Sequence, residues 1–269
     1  MPKQQYLTDY LHKNAENHPD KPALVFNDEV FTWQQINDLV ITTSASLADK
    51  LPNDKQCIVG LLFANGWEFI VAYLAVLERG HIAMPFDVTH KALEIGAIID
   101  QMEPHLTITN DRQKSVLPSD HRTVLLPDLL TAQADQTATS RGLRLTPKTQ
   151  IATLLFTSGT TGKPKATPYT HANHTWNIEV TSKVVHWNRD DTMLLSLPLS
   201  HWHGLVMGLS GIIYHGNTLY LHERFDPAKT LEALSSGKIS IYTHISIAYI
   251  EMVKQHESAH YDTSPTAEK

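Results

Sequence analysis

The stretch Leu154–Lys165, LLFTSGTTGKPK, decides how the rest of the sequence is read. An apolar run, Ile151–Phe156, leads into a segment built of glycines, hydroxyl residues and lysines. The run reads as a covered strand. Gly159 and Gly162 permit a tight path with exposed backbone N–H groups. Thr157, Ser158, Thr160 and Thr161 add hydroxyls, and Lys163 and Lys165 add positive charge. Convergent N–H and O–H donors of this kind wrap polyphosphate oxygens, and lysine offsets the charge. The phosphate loop of nucleotide hydrolases is excluded. It needs a glycine five residues before Gly162 and a hydroxyl residue after Lys163, where this sequence has Thr157 and Pro164.

Working outward, strands and helices alternate on both sides. Before the loop, Cys57–Phe63, Ile82–Met84, Leu106–Thr109 and Val124–Leu126 read as strands, with helices over Trp67–Leu77 and Ala92–Ile99. Nearer the start, residues 4–17 read as a helix and Ala23–Trp33 as a hairpin turning at Asn27-Asp28. Thr32 and Gln35 have capping-box spacing for the next helix. After the loop, which is expected to run to Pro168, Thr170 caps a helix towards Trp187. Strands follow at Thr192–Leu197, Thr218–Leu221 and Ile239–Tyr242. Helices are expected over Leu205–Tyr214, from Asp226-Pro227 to Gly237, and over His244–Gln255. Thr131–Gln150, which contains AQADQTATSRG, interrupts the pattern as a surface connection. The expectation is an α/β fold with two related, mostly parallel sheet regions flanked by helices, divided as 1–145 and 146–269.

Composition narrows the function classes. Of 269 residues, 42% are hydrophobic and 19% charged, the profile of a packed chain. The formal net charge of −6, with no long basic tract, argues against a nucleic-acid partner. No apolar run reaches the length of a membrane span. Cys57 is the single cysteine, so no disulfide forms within the chain and a reducing, cytoplasmic setting is expected. His201 and His203 form an HxH pair, yet no third ligand is spaced to complete a metal site, and none is expected.

Residues 154–165 resemble the signature phosphate loop of the adenylate-forming superfamily, which includes acyl- and aryl-CoA synthetases, luciferases and the adenylation domains of peptide synthetases. Leu197–Gly204, LPLSHWHG, resembles the family's Leu-Pro-x-Phe-His-x-x-Gly loop, with Ser200 in place of the phenylalanine. Residues 74–87, LAVLERGHIAMPFD, resemble the block ending in Pro-Leu-Asp or Pro-Leu-Asn, and residues 103–109 the Glu-Pro strand that follows. Ala166 stands where the family usually has glycine. Residues 186–256 look closest to small-acid CoA ligases of the malonyl-CoA synthetase kind.

The resemblance implies the large N-terminal domain of an acyl-CoA synthetase-like fold. It also implies a reaction that joins a carboxylic acid to ATP as an acyl adenylate and then passes the acyl group to coenzyme A. Thr157, Ser158, Gly159, Thr160, Thr161, Gly162 and Lys163 would hold the β- and γ-phosphates, with Lys165 as a second lysine and magnesium bridging the phosphates. His201 would stand beside the acyl carboxylate and the α-phosphate. His201 and Lys163 are the residues expected to serve catalysis. The family's adenine segment, its Tyr-Gly-x-Thr-Glu block, its ribose aspartate and its small C-terminal domain are not found in this sequence. The expectation is therefore a truncated chain, weakly active or inactive alone, associating with itself or with a complementing chain. A non-catalytic nucleotide-binding fragment and a piece of an amino-acid adenylation domain are the alternatives.

Overall fold

Local chemistry sets the first turns of the chain. The hairpin of β1 (Pro22–Phe26) and β2 (Glu29–Thr32) reverses at Asn27 and Asp28, both at positive φ (49° and 67°), which these residue types tolerate. Thr32 then starts α2 (Trp33–Leu47): its hydroxyl accepts from the Gln35 N–H at 3.2 Å, and the Gln35 side chain accepts from the Thr32 N–H at 2.8 Å. The structure is a computed structural model describing residues 6–132, 143, 149–157 and 165–262. Most of the expected connection at 131–150, and residues 158–164, lie outside the described residues.

The first sheet has the order β6-β5-β3-β4-β7-β8. Its strands are β3 (Ile58–Leu62), β4 (Ile82–Pro85), β5 (Leu106–Thr109), β6 (Thr123–Leu125), β7 (Ile151–Thr157) and β8 (Lys165–Thr170). All neighbours are parallel except β7 and β8, which pair antiparallel from Ile151↔Thr170 to Thr157↔Lys165. The second sheet has the order β11-β9-β10-β1-β2, with β9 (Thr192–Leu195), β10 (Thr218–Leu221) and β11 (Ile241–Tyr242). It too is parallel apart from the hairpin. The α/β architecture expected from the sequence is thus present. Each sheet draws strands from both sides of residue 145: β1 pairs with β10, and β4 with β7.

Helices cover the sheets: α1 (Leu7–Asn17), α2, α3 (Trp67–Glu78), α4 (Ala92–Met102), α5 (Leu126–Thr131), α6 (His171–Val185), α7 (Ser210–His215), α8 (Pro227–Ser235) and α9 (Ser246–Ala259). α3 is buried continuously from Phe69 to Glu78, so it is apolar on all sides rather than amphipathic. A polar thread passes through this core. The Tyr73 hydroxyl lies 3.0 Å from Thr153 Oγ1, Thr153 Oγ1 lies 3.1 Å from His174 Nε2, and His174 Nδ1 lies 3.1 Å from Ser210 Oγ. Ser210 Oγ donates to the Leu205 carbonyl at 3.0 Å. One proton order satisfies every group: each hydroxyl donates towards Leu205, and His174 carries its proton on Nδ1. Burial pushes the His174 pKa down to about 4, which keeps that ring neutral.

Two elements differ from the sequence reading. The loop expected to reach Pro168 ends at Lys165, because β8 occupies Lys165–Thr170. Pro168 is tolerated there since β8 is the edge of its sheet. The helix expected over Leu205–Tyr214 begins as a π-helical turn, His203–Leu209, before α7. Its widened turn lets the Leu205 carbonyl accept from both the Ser210 N–H and the Ser210 hydroxyl.

Leu61, fully buried in the middle of the first sheet, measures the strength of this core. Leu61→Ala is expected to lower the unfolding free energy by about 2–5 kcal/mol, read as a shifted midpoint in a urea titration.

Candidate active site

Parallel strands place their carboxyl ends on one side, and in this chain the loops leaving both sheets meet there. Asn65, three residues past β3, is the junction. Its Nδ2 donates to the carbonyls of Leu197 at 3.0 Å and His222 at 3.1 Å, and its Oδ1 accepts from the Leu199 N–H at 2.8 Å. One buried amide therefore ties the first sheet to the loops after β9 and β10 of the second. Arg112, past β5, adds an exposed ion pair to Glu223 at 2.7 Å, whose contribution is small.

The loop so held carries His201. The chain turns at Pro198–His201, with the His201 N–H donating to the Pro198 carbonyl at 3.1 Å. Gly204 packs directly on that carbonyl, and any Cβ at this position would collide with the Pro198 oxygen. This explains the glycine that closes LPLSHWHG. His203 instead points its Nε2 at Thr243 Oγ1, 3.1 Å away, and burial lowers its pKa.

His201 Nε2 lies 2.8 Å from Asp87 Oδ2, across the seam between the sheets. Asp87 is itself fixed, since its Oδ1 accepts from the Thr89 N–H at 2.8 Å and the Thr89 hydroxyl at 2.7 Å. The bond from His201, helped by those from Thr89, holds the Asp87 carboxyl well below the usual carboxylate range despite partial burial. The same bond to Asp87 raises the His201 pKa against the opposing effect of burial. The pair is a histidine biased towards the imidazolium beside a committed carboxylate.

Of the site's other expected members, Thr157 and Lys165 are among the described residues. β4 and β7 are neighbours in register at Ala83↔Thr153. Asp87 is four residues beyond Ala83, and Thr157 four beyond Thr153, so the two leave adjacent parallel strands at the same level. Thr157 and Lys165 are the last pair of the β7–β8 ladder and form the base of the intervening segment. Ser158, Gly159, Thr160, Thr161, Gly162 and Lys163 lie outside the described residues. Ala166 pairs with Phe156 and packs against the cluster around Leu154, so the ladder accommodates the methyl that replaces the family's glycine.

Sequence reasoning missed Asn65 and the partnership of Asp87. Asp87 was visible as the end of the 74–87 block, but nothing in that block points to a histidine 114 positions on. Other histidines are engaged elsewhere: His174 belongs to the core thread, and His215 Nε2 sits 2.6 Å from Ser182 Oγ. Among the described residues, no group of three or more His, Cys, Asp or Glu gathers as a metal site. No described helix is long and apolar enough to cross a membrane.

This architecture is that of the solved acyl-CoA synthetase structures. It superposes with a TM-score of 0.83 on o-succinylbenzoate CoA synthetase from Bacillus subtilis in complex with its acyl-adenylate intermediate, at 21% identity, covering 93% of this chain and 51% of that one. The same enzyme in complex with ATP and magnesium ion gives a TM-score of 0.80 at 21% identity, over 91% and 51% of the two chains. The AMP-binding enzyme family matches residues 11–267, and the chain belongs to that family. The 2-succinylbenzoate–CoA ligase of Listeria monocytogenes is 28% identical over 95% of this chain and 53% of its own length. The chain thus spans about half the length of the curated relatives it matches.

The Asn65 junction can be tested directly. Asn65→Ala strands one N–H and two carbonyls, at a cost of about 1–3 kcal/mol for each buried group left unpaired. Hydrogen exchange of the Leu199 amide is expected to quicken, while the amides of α3 keep their protection.

Proposed function

We propose that this chain carries the phosphate-binding and acid-facing part of an enzyme that activates a carboxylic acid with ATP as an acyl adenylate, then forms a thioester with coenzyme A. The observation that carries the reading is the bond between His201 and Asp87, with Asp87 leaving β4 at the level where Thr157 ends the adjacent β7. In this reading a group able to donate to developing negative charge serves the same reaction as the phosphate-donor residues encoded between Thr157 and Lys165. ATP supplies the electrophilic α-phosphorus and the pyrophosphate leaving group. In this reading the hydroxyls of Thr157, Ser158, Thr160 and Thr161, the N–H groups around Gly159 and Gly162, and the Lys163 ammonium hold the β- and γ-phosphates. Lys165 adds charge at the base of the loop. Magnesium, bound with the nucleotide, would offset the charge of the phosphates.

The comparisons support this reading. The Bacillus enzyme of the same fold takes ATP with magnesium and forms an acyl adenylate, and the Listeria relative is an acid–CoA ligase. A small, polar acid such as a dicarboxylate fits that company better than an amino acid. A cytoplasmic setting accords with the single cysteine. The apolar face that α9 exposes at Ile247, Ile250 and Val253, beside the edge strand β11, supports further polypeptide, a complementing chain, as the cover of that edge.

Two measurements test the reading. Calorimetry should detect ATP–magnesium or pyrophosphate binding to the 269-residue chain, and Thr160→Ala with Lys163→Ala should weaken it by about tenfold or more. Equal affinity in the double variant refutes the assignment of the loop. Exchange of pyrophosphate into ATP should be slow in this chain, depend on 2-succinylbenzoate, malonate or another non-amino acid, and vanish in His201→Ala. Exchange driven by amino acids alone would move the chain to the amino-acid-activating branch.

A further inference from the structure

We propose that Asp87 is the positioning residue of His201: it takes the Nε2–H and so turns Nδ1 to the carboxylate of the acid. The identity of that ligand rests on acid activation; the arrangement of the two side chains does not.

A carboxylate only accepts, so the 2.8 Å contact assigns a proton to His201 Nε2. Asp87 cannot swing away to share itself with a ligand, because Thr89 occupies its other oxygen twice. The Asp87 side chain is 17% exposed and that of His201 50%, so the carboxylate backs the ring and the ring faces the open side. Among the described residues, His201 Nδ1 makes no hydrogen bond and is the atom left for a ligand.

The proton count then decides what His201 can do. With Nε2–H committed to Asp87, a neutral ring presents a lone pair at Nδ1 and repels an anion. A protonated ring presents Nδ1–H and donates to one. Asp87 thus shifts the pH range over which His201 is a donor, and among the described residues it is the charged group acting on this ring. The His201 pKa is raised by folding, so the pair's stabilising effect is full below the ordinary histidine value of about 6.5 and is lost as pH rises through the raised value. On the acid side, Asp87 keeps its contribution above the ordinary carboxylate value of about 3.9 and loses it as pH falls through its depressed value.

A competing role is mechanical: the contact could serve only to tie two sheets together. Asparagine at position 87 keeps an acceptor and the tie but removes the charge, whereas glutamate keeps the charge. Nitrogen-15 imidazole spectra of the full chain, with His201 assigned from His201→Gln, separate the two roles without any substrate. The wild-type ring should titrate above the ordinary value and, once neutral, hold its proton on Nε2. Asp87→Asn should lower its proton affinity about tenfold, and Asp87→Glu should restore most of it. The buried His174 ring reports folding in each variant. An unchanged His201 midpoint in a folded Asp87→Asn, or a wild-type neutral ring protonated on Nδ1, overturns the proposal. If Asp87→Asn fails to fold, the wild-type tautomer and the Asp87→Glu midpoint decide it. Because no acid or nucleotide is present, failure here is distinct from failure of acid activation.

Discussion

The Asn65 side chain is the constraint on which the site depends. A parallel sheet leaves its carboxyl-end loops without ladder partners, and where such loops from two sheets meet, several backbone groups would otherwise go unpaired. Asn65 resolves three of them at once, with both amide protons and the carbonyl oxygen in use. An aspartate would lose the donors, and an aliphatic side chain would leave all three groups unpaired. With Leu197 and Leu199 held in this way, the Pro198–His201 turn has a fixed base, and Gly204 allows the following π-helical turn to close on it. The direction of His201 is therefore inherited from a residue on the other sheet.

The molecule separates two kinds of histidine by environment. His174 is sealed in the core between two hydroxyls, and a neutral ring completes the proton order from Tyr73 to Leu205. Charging it would break that order and strand a cation in apolar surroundings. His201 is half exposed against a carboxylate, and that contact raises its pKa so that it holds its proton more tightly than an ordinary histidine. The same side chain is structural in one place and a candidate for chemistry in the other, and the difference lies in its partners rather than in its sequence context.

Much of the fold was legible locally. The Thr32–Gln35 capping box appears as read, and Asp226 caps α8 by accepting from the Lys229 N–H at 3.0 Å. Covered strands such as Ile58–Leu62 announced themselves as apolar runs. β8 was not legible, because Pro168 argues against a strand unless its edge position is known. Strand order was hidden for a different reason. Nothing in the PALVF hairpin strand specifies that it will pair with TLYL nearly two hundred residues later. In the site, residue types were readable where they cluster in sequence, as at 157–165 and 197–204. Partnerships formed across the seam, Asn65 with Leu199 and Asp87 with His201, carry no local signature.

That long-range character also sets the order in which the site can form. Each sheet takes strands from both ends of the described chain, so neither closes until distant segments have met. The entropy of closing such loops grows slowly with their length but must be met before the contacts return anything. Asp87 and His201 depend on both sheets at once: β4 must be seated between β3 and β7, and β9 between β10 and β11. Their contact therefore forms only when both sheets are seated. A site built on this seam needs two finished sheets behind it, which ties any chemistry at His201 to the integrity of the whole α/β framework rather than to the sequence around the histidine.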